Sequence, residues 1–150
     1  MITRSTSVVI IGGGPGGYEA ALVAVRLGAT VTLVDRDGLG GACVLTDCVP
    51  SKSLISTAHV LRRFGTAHEH GVELALGAIP ADLRAVNQRI VDLATAQSED
   101  IAARLVAEGV RVCRGTGRLP SARRVAVEHT DGTREALTAD VILLATGATP

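Results

Sequence analysis

From Gly12 to Gly17 the chain reads Gly12-Gly13-Gly14-Pro15-Gly16-Gly17, glycine at every position but one. Such a run neither continues a strand nor builds a helix without conformational cost, so it marks a sharp turn between two elements. Before it, Ser7 to Ile11 is a short β-branched run that reads as a buried strand. After it, Ala20, Ala21, Val23, Ala24 and Leu27 recur at helical spacing from Tyr18 to Leu27, and Gly28 is placed as a C-cap. Thr30 to Asp35 is a second apolar strand. Strand, glycine turn, helix and strand predict a βαβ unit, the smallest piece of a parallel sheet.

Gly12-x-Gly14-x-x-Gly17 in that context is the dinucleotide fingerprint. Gly12 permits the tight turn, Gly14 lets a pyrophosphate approach the backbone, and Gly17 lets the helix pack close to the strand. Pro15 and Gly16 complete the loop, and the anion is expected on free N–H groups at the helix N-terminus. Asp35 ends the second strand, where a carboxylate can accept hydrogen bonds from a ribose 2′-OH and would repel a 2′-phosphate. A glycine-rich turn with no ligand is the competing reading, and the fingerprint alone does not separate FAD from NAD.

The remaining elements follow from periodicity and punctuation. Arg36 to Ala42 is a loop, and Cys43 to Phe64 a helix with Pro50 in an opening turn or at a bend. His68 to Pro80 is irregular. Ala81 to Glu108 is a long helix whose Leu83, Val86, Ile90, Leu93, Ala94, Ile101 and Leu105 form one stripe, stopped by Gly109. Val110 to Cys113, Val125 to His129 and Glu135 to Leu137 are short strands, with a hairpin turn at Asp131-Gly132. Asp140 to Ala145 is another buried strand, running into Thr146-Gly147. The fold class is α/β: a parallel sheet with a long helical excursion and a small antiparallel β-meander. With one Phe, one Tyr and no Trp, the core must be built from Val, Leu, Ile and Ala, which suits helices on a parallel sheet.

Fifteen basic and fifteen acidic residues cancel, and no aromatics are interleaved with basic residues, which argues against a nucleic-acid partner. No stretch approaches the ~20 apolar residues of a membrane span, and the N-terminus lacks a secretory signature. A soluble, cytoplasmic protein is therefore expected, with no membrane insertion.

Cys43 and Cys48 lie in Gly40-Gly41-Ala42-Cys43-Val44-Leu45-Thr46-Asp47-Cys48-Val49-Pro50-Ser51-Lys52. On an ideal helix an i, i+5 pair is ~8 to 9 Å apart at Cα, beyond the ~4.4 to 6.8 Å a disulfide spans. A bridge would need a distorted first turn, which the preceding glycines allow. A redox pair, two unpaired core cysteines and half of a zinc site all remain open on spacing alone. No metal site is expected, because neither a CxxC nor a convincing His partner follows. His68-Glu69-His70 reads as solvated, His59 and His129 have no claim to chemistry, and Cys113 reads as core.

The string GGACVLTDCVPSK resembles the redox-helix signature GGxCxxxGCxPSK of the flavoprotein disulfide reductases, the class I pyridine nucleotide-disulfide oxidoreductases. The opening GGGPGGYEAA, Asp35, the GTG of Gly115 to Gly117 and the closing ATGATP fall in the order of that family, so the resemblance covers the whole chain. It implies a Rossmann-like FAD-binding domain, with FAD at Gly12 to Gly17 and ribose at Asp35 and Arg36. The flavin would lie beside Gly40, Gly41, Ala42, Cys43, Cys48 and Lys52. Gly117 would meet the adenine, and Thr146-Gly147 would lie against the cofactor. The implied activity passes electrons from NAD(P)H through FAD to a Cys43-Cys48 disulfide, and on to a disulfide substrate such as lipoamide. Cys48 would be the thiolate in contact with the flavin, Cys43 the interchange thiol, and Lys52 a stabiliser of negative charge.

Asp47 departs from the pattern, standing where the family has Gly. A carboxylate there adds bulk and negative charge, and a neighbouring anion works against thiolate chemistry. The wording around it resembles an actinobacterial branch of the family that reduces quinones with NAD(P)H, which makes direct reduction of quinone by the flavin the alternative to disulfide reduction. A non-catalytic FAD-binding fragment is a third reading. The resemblance also implies that residues 1–150 are the N-terminal part of the FAD-binding domain. The NAD(P)H-binding and dimer-interface domains would then be absent, the 150 residues alone inactive, and the full-length enzyme a homodimer.

Overall fold

The computed structural model describes residues 5–73 and 80–148. Its six strands form one sheet in the order β5-β4-β3-β2-β1-β6. β1 (Ser7–Ile11) pairs in parallel with β2 (Thr30–Asp35) on one side and with β6 (Val141–Leu144) on the other. β2 pairs in parallel with the start of β3 (Arg111–Ser121), whose far half turns antiparallel to β4 (Arg124–His129), and β4 to β5 (Arg134–Thr138). The chain therefore leaves β1 toward β2 and β3 and returns on its opposite side as β6. That reversal makes a crevice at the carboxyl end of β1, where open α/β sheets bind their ligands.

Alternation along the strands divides the core. Ile10, Val31 and Leu33 face α1 (Pro15–Arg26) and the long α4 (Leu83–Ala107), packing with Ala21, Leu22, Leu105 and Val110. Val9, Ile11 and Val34 face the other way, against Cys113 and the meander residues Val125, Val127 and Ala139. Ile10 and Leu33 are fully buried, and each such side chain contributes about 1.5 to 3 kcal/mol of transfer free energy.

α1 opens on Pro15 behind Gly14, so its missing N–H costs nothing, and it stops where Gly28 adopts φ +86. Asp82 caps α4, accepting from the N–H groups of Arg84 and Ala85. The hairpin turn at Asp131-Gly132 is as expected, with Gly132 at φ +84.

Five expectations change. The helix expected from Cys43 to Phe64 is two helices, α2 (Gly41–Leu45) and α3 (Cys48–Gly65), broken at Thr46-Asp47. The distortion falls after Cys43 rather than in the glycines before it, because the N–H groups of Thr46 and Asp47 both turn back to the carbonyl of Ala42. Pro50 then lies in the opening turn of α3. β3 runs eight residues past Cys113, to Ser121, because antiparallel pairing with β4 recruits the glycine-rich Gly115 to Gly117, which has no apolar alternation to announce it.

β6 was expected to be buried, yet Leu144 is 60% exposed, since the strand lies at a sheet edge with β1 as its one described neighbour. The stripe of α4 is buried only at Ile90, Ala94 and Leu105, and Leu83 is 72% exposed; Leu105 packs in the core with Ile10, Val31 and Leu33 of the sheet. Ala67–His70 forms a short 3-10 turn inside the stretch expected to be irregular, which lies partly outside the described residues.

Candidate functional site

At the crevice, the loops after β1, β2 and β6 and the start of α2 enclose a cleft of about 760 Å³. Its floor is bare backbone. Gly12 has φ +108, and a Cβ there would strike the carbonyl of Ala145, so the turn after β1 closes only on glycine. A Cβ on Gly17 would collide with the carbonyl oxygen of Gly12, and this absence of a side chain lets α1 press onto β1. Gly16 differs from both, since neither its φ nor any neighbour within 4 Å requires glycine. A side chain there would project into the open cleft, so its absence leaves room at the first turn of α1. That turn carries no acidic residue, and its free N–H groups favour an anion.

Asp35 is more occupied than the sequence suggests. Oδ2 accepts from the N–H of Gly13 at 2.7 Å, and Oδ1 accepts from the N–H groups of Asp37 at 3.0 Å and Gly38 at 2.7 Å. The carboxylate thus ties the phosphate loop to the loop after β2, with part of its accepting capacity left for a ribose hydroxyl. Beside it, Arg36 donates from Nε and Nη2 to the two oxygens of Asp37, both at 2.8 Å. This pair raises the Arg36 guanidinium and holds the Asp37 carboxyl below its ordinary range, by hydrogen bonding first and charge second.

The far end of the cleft is formed by Ala42, Cys43, Leu45, Thr46 and Asp47. The break between α2 and α3 puts Cys43 and Cys48 on either side of one bend, both as free thiols. The neighbouring Cys48 is the first cause pushing the Cys43 thiol up, by hydrogen bonding. Desolvation and the charge of Cys48 follow, Lys52 pulls it down, and Asp47 adds a small push upward.

Of the residues expected at the site, Gly12, Gly14, Pro15, Gly16, Asp35, Arg36, Gly41, Ala42, Cys43, Thr146 and Gly147 line one cleft. Gly17 lies behind it as the helix–strand contact. Gly40, at φ +95, is the N-cap of α2. Cys48 and Lys52 are exposed and stand outside the lining. Gly117 lies in β3 against the side chain of Ile11, away from the cleft wall. Gly13 falls within the Gly12 to Gly17 loop expected to hold the cofactor, whereas sequence reasoning missed Asp37, Gly38, Leu45, Thr46, Ala145 and Ala148 as lining residues. Of these, Gly38 carried a signal, as a glycine close behind the acid. Cys113 is buried at 4% exposure, as expected. No group of three or more His, Cys, Asp or Glu among the described residues could hold a metal ion.

A doubly parallel β1, an anion-ready helix N-terminus and an acid at the end of β2 define a dinucleotide-binding α/β domain, here with a thiol pair at the end of its cleft. Residues 6–150 match the family described as pyridine nucleotide-disulphide oxidoreductase, and the chain belongs to that family. It is 42% identical to the NAD(P)H dehydrogenase (quinone) of Mycobacterium tuberculosis, over 100% of this chain and 32% of that protein. It is 35% identical to the dihydrolipoyl dehydrogenase of Bacillus subtilis, over 96% of this chain and 31% of that one. The crystal structure of LpdA from Mycobacterium tuberculosis superposes with a TM-score of 0.89 at 42% identity, covering 97% of this chain and 32% of that one. The chain thus spans about a third of the length of these relatives.

Proposed function

We propose that this chain is the FAD-binding part of an NAD(P)H-dependent flavoprotein oxidoreductase, with Cys43 and Cys48 as its redox pair. The observation that carries the reading is a single cleft lined by both the bare glycine loop and Cys43, with Cys48 across the bend between α2 and α3. The residues fit a dinucleotide. Gly16 leaves the anion bay open, the N–H groups of the first turn of α1 would hold the pyrophosphate, and Asp35 fixes that loop while keeping accepting capacity for ribose. When bound, FAD supplies a centre that takes two electrons from NAD(P)H and gives them up to a sulfur pair or to a quinone.

Cys43 and Cys48 then interconvert between disulfide and dithiol. Reduction breaks the S–S bond as two electrons and two protons enter. Exchange with a substrate disulfide re-forms that bond and leaves the substrate as a dithiol. Cys43 lines the cleft while Cys48 is exposed outside it, and Lys52 favours negative charge on the Cys43 sulfur. Residues 1–150 are on this reading the N-terminal part of the FAD domain of a cytoplasmic homodimer. NAD(P)H would bind in a domain outside this chain, so the 150 residues alone should not turn over NADH.

The second reading is direct reduction of a quinone by the flavin. It is favoured by Asp47 beside the thiols and by the 42% identity to a relative named for quinone. The full-length protein separates the two when lipoamide, glutathione-type disulfides and menadione are compared as acceptors for NADH. Replacing Cys43 or Cys48 by Ser should abolish disulfide reduction and spare menadione reduction. Full disulfide reductase activity in both variants would show that the pair carries no electrons.

A further inference from the structure

Helix α3 carries Cys48 at its first position and Lys52 one turn on, yet little of its own packing fixes where it lies. Its one buried residue is Ser53, whose hydroxyl has no hydrogen-bond partner among the described residues. Leu54, Ile55, Val60 and Phe64 are each 45% to 53% exposed. Asp47, at the N-cap, makes no side-chain bond to the first turn. Among the described residues, the hydrogen bonds that tie α3 to α4 both come from one nitrogen. Nη2 of Arg89 donates to the carbonyl of Ser53 at 3.2 Å and to Oγ1 of Thr57 at 2.8 Å. The Thr57 hydroxyl donates to the same carbonyl at 3.2 Å, so the three groups close into one small ring with a charged donor. The carbonyl at its centre belongs to the residue next to Lys52.

We propose that Arg89 is a positioning residue for the Cys43-Cys48 pair, pinning α3 beside Lys52 so that Cys48 and Lys52 keep their places relative to Cys43. The proposal rests on the reading of that pair as the reactive centre and adds the residue that holds it in register. Acceptors at Ser53 and Thr57 stand one turn apart on α3, so a donor shared between them resists both rotation and sliding of the helix. Half-exposed apolar side chains supply no such constraint. The charged groups acting on the Cys43 thiol are Cys48, Lys52 and Asp47, and Lys52 alone draws it down. Arg89 is not among them, so its loss reaches that thiol through the placement of α3.

The test uses the full-length protein, reduced and then alkylated with iodoacetamide between about pH 6 and about pH 10, a range that brackets an ordinary thiol. Adducts at Cys43 and Cys48 are read separately by peptide mass. The thiolate sulfur forms a bond to the reagent's methylene carbon as the C–I bond breaks and iodide leaves, so the rate follows the thiolate fraction. A charge at contact distance changes that fraction by about sixfold in water. The greater nucleophilicity of a more basic sulfur offsets roughly half of this on a logarithmic scale. Lys52→Gln should therefore slow Cys43 at about pH 7 by about two- to threefold. Arg89→Ala should slow it by about twofold and move its profile to higher pH. Thr57→Val removes one acceptor, keeps the side-chain shape, and should move the profile the same way by less. In a Lys52→Gln background, Arg89→Ala should add nothing.

Profiles unmoved in both Arg89→Ala and Thr57→Val, even beside a lower melting temperature, overturn the proposal and leave the redox pair intact. A slowing by Arg89→Ala that is equally large in the Lys52→Gln background does the same. No alkylation of Cys43 at any pH, with flavin bound or removed, overturns the reading of the pair and the proposal with it.

Discussion

Gly13 donates its N–H to Oδ2 of Asp35 at 2.7 Å, joining the turn after β1 to the end of β2 through one charged hydrogen bond. Asp37 and Gly38 donate to the other oxygen of the same carboxylate. The acid thus builds the ribose end of the cleft before any ligand reaches it.

Asp35→Ala should therefore lower stability as well as nucleotide affinity. Three N–H groups lose a charged acceptor, and such hydrogen bonds contribute about 1.5 to 3 kcal/mol each when they cannot be replaced. Because water can reach part of this site, a loss on the order of 3 kcal/mol is expected. Urea unfolding checks it, and a midpoint equal to that of the wild type would show the clamp to be idle.

Gly17→Ala should separate α1 from β1. The added methyl falls on the carbonyl of Gly12, which is backbone and cannot move aside. A cost of about 1 to 3 kcal/mol is expected, together with loss of flavin from the full-length protein. Gly16→Ala meets no neighbour, so it should keep its melting temperature and weaken FAD binding alone. Thermal melts paired with flavin absorbance separate the two glycines.

Acid should loosen the meander through Glu135. Its carboxyl is held below the ordinary glutamate range by the Arg111 guanidinium, with Nη1 at 2.9 Å and Nη2 at 2.8 Å, and then by His129 at 3.3 Å. A depressed folded value means that the contribution is complete above the unfolded glutamate range and lost as pH falls through the folded one. Urea midpoints at pH 7 and about pH 3.5 should thus differ less in Glu135→Gln than in the wild type. Asp37 and Asp131 shift in the same direction, so the variant keeps part of the dependence. Equal acid sensitivity in both proteins would remove the pair from the account.

Asp82→Ala removes the acceptor for the N–H groups of Arg84 and Ala85 at the start of α4. A loss of about 1 kcal/mol is expected, within the 0.5 to 2 kcal/mol range of exposed N-caps. Asp82→Ser should recover most of it, and chemical denaturation of the three proteins makes the comparison.

The βαβ unit was legible because its signals are local. β1 and β2 have the bounds that their apolar runs predict, and Gly12, Gly17 and Asp35 stand where turn, packing and strand end require them. The second half of β3 was not legible, since Gly115, Thr116 and Gly117 join the sheet only when β4 offers a partner. The exposure of β6 was hidden for a similar reason. An apolar strand reads the same at the centre of a sheet and at its edge.

By itself the sequence determined a glycine loop between strand and helix, an acid at the end of the next strand, and two cysteines too far apart to meet on an unbroken helix. The tertiary structure decided that no unbroken helix joins them. The backbone turns back on Ala42 at Thr46 and Asp47 and starts a new helix at Cys48, with Asp47 lining the cleft. A helical period places no break at Thr46-Asp47, although Pro50 just beyond it does mark an opening turn. The bend is held by contacts among α2, α3 and α4 that exist only once the chain has folded.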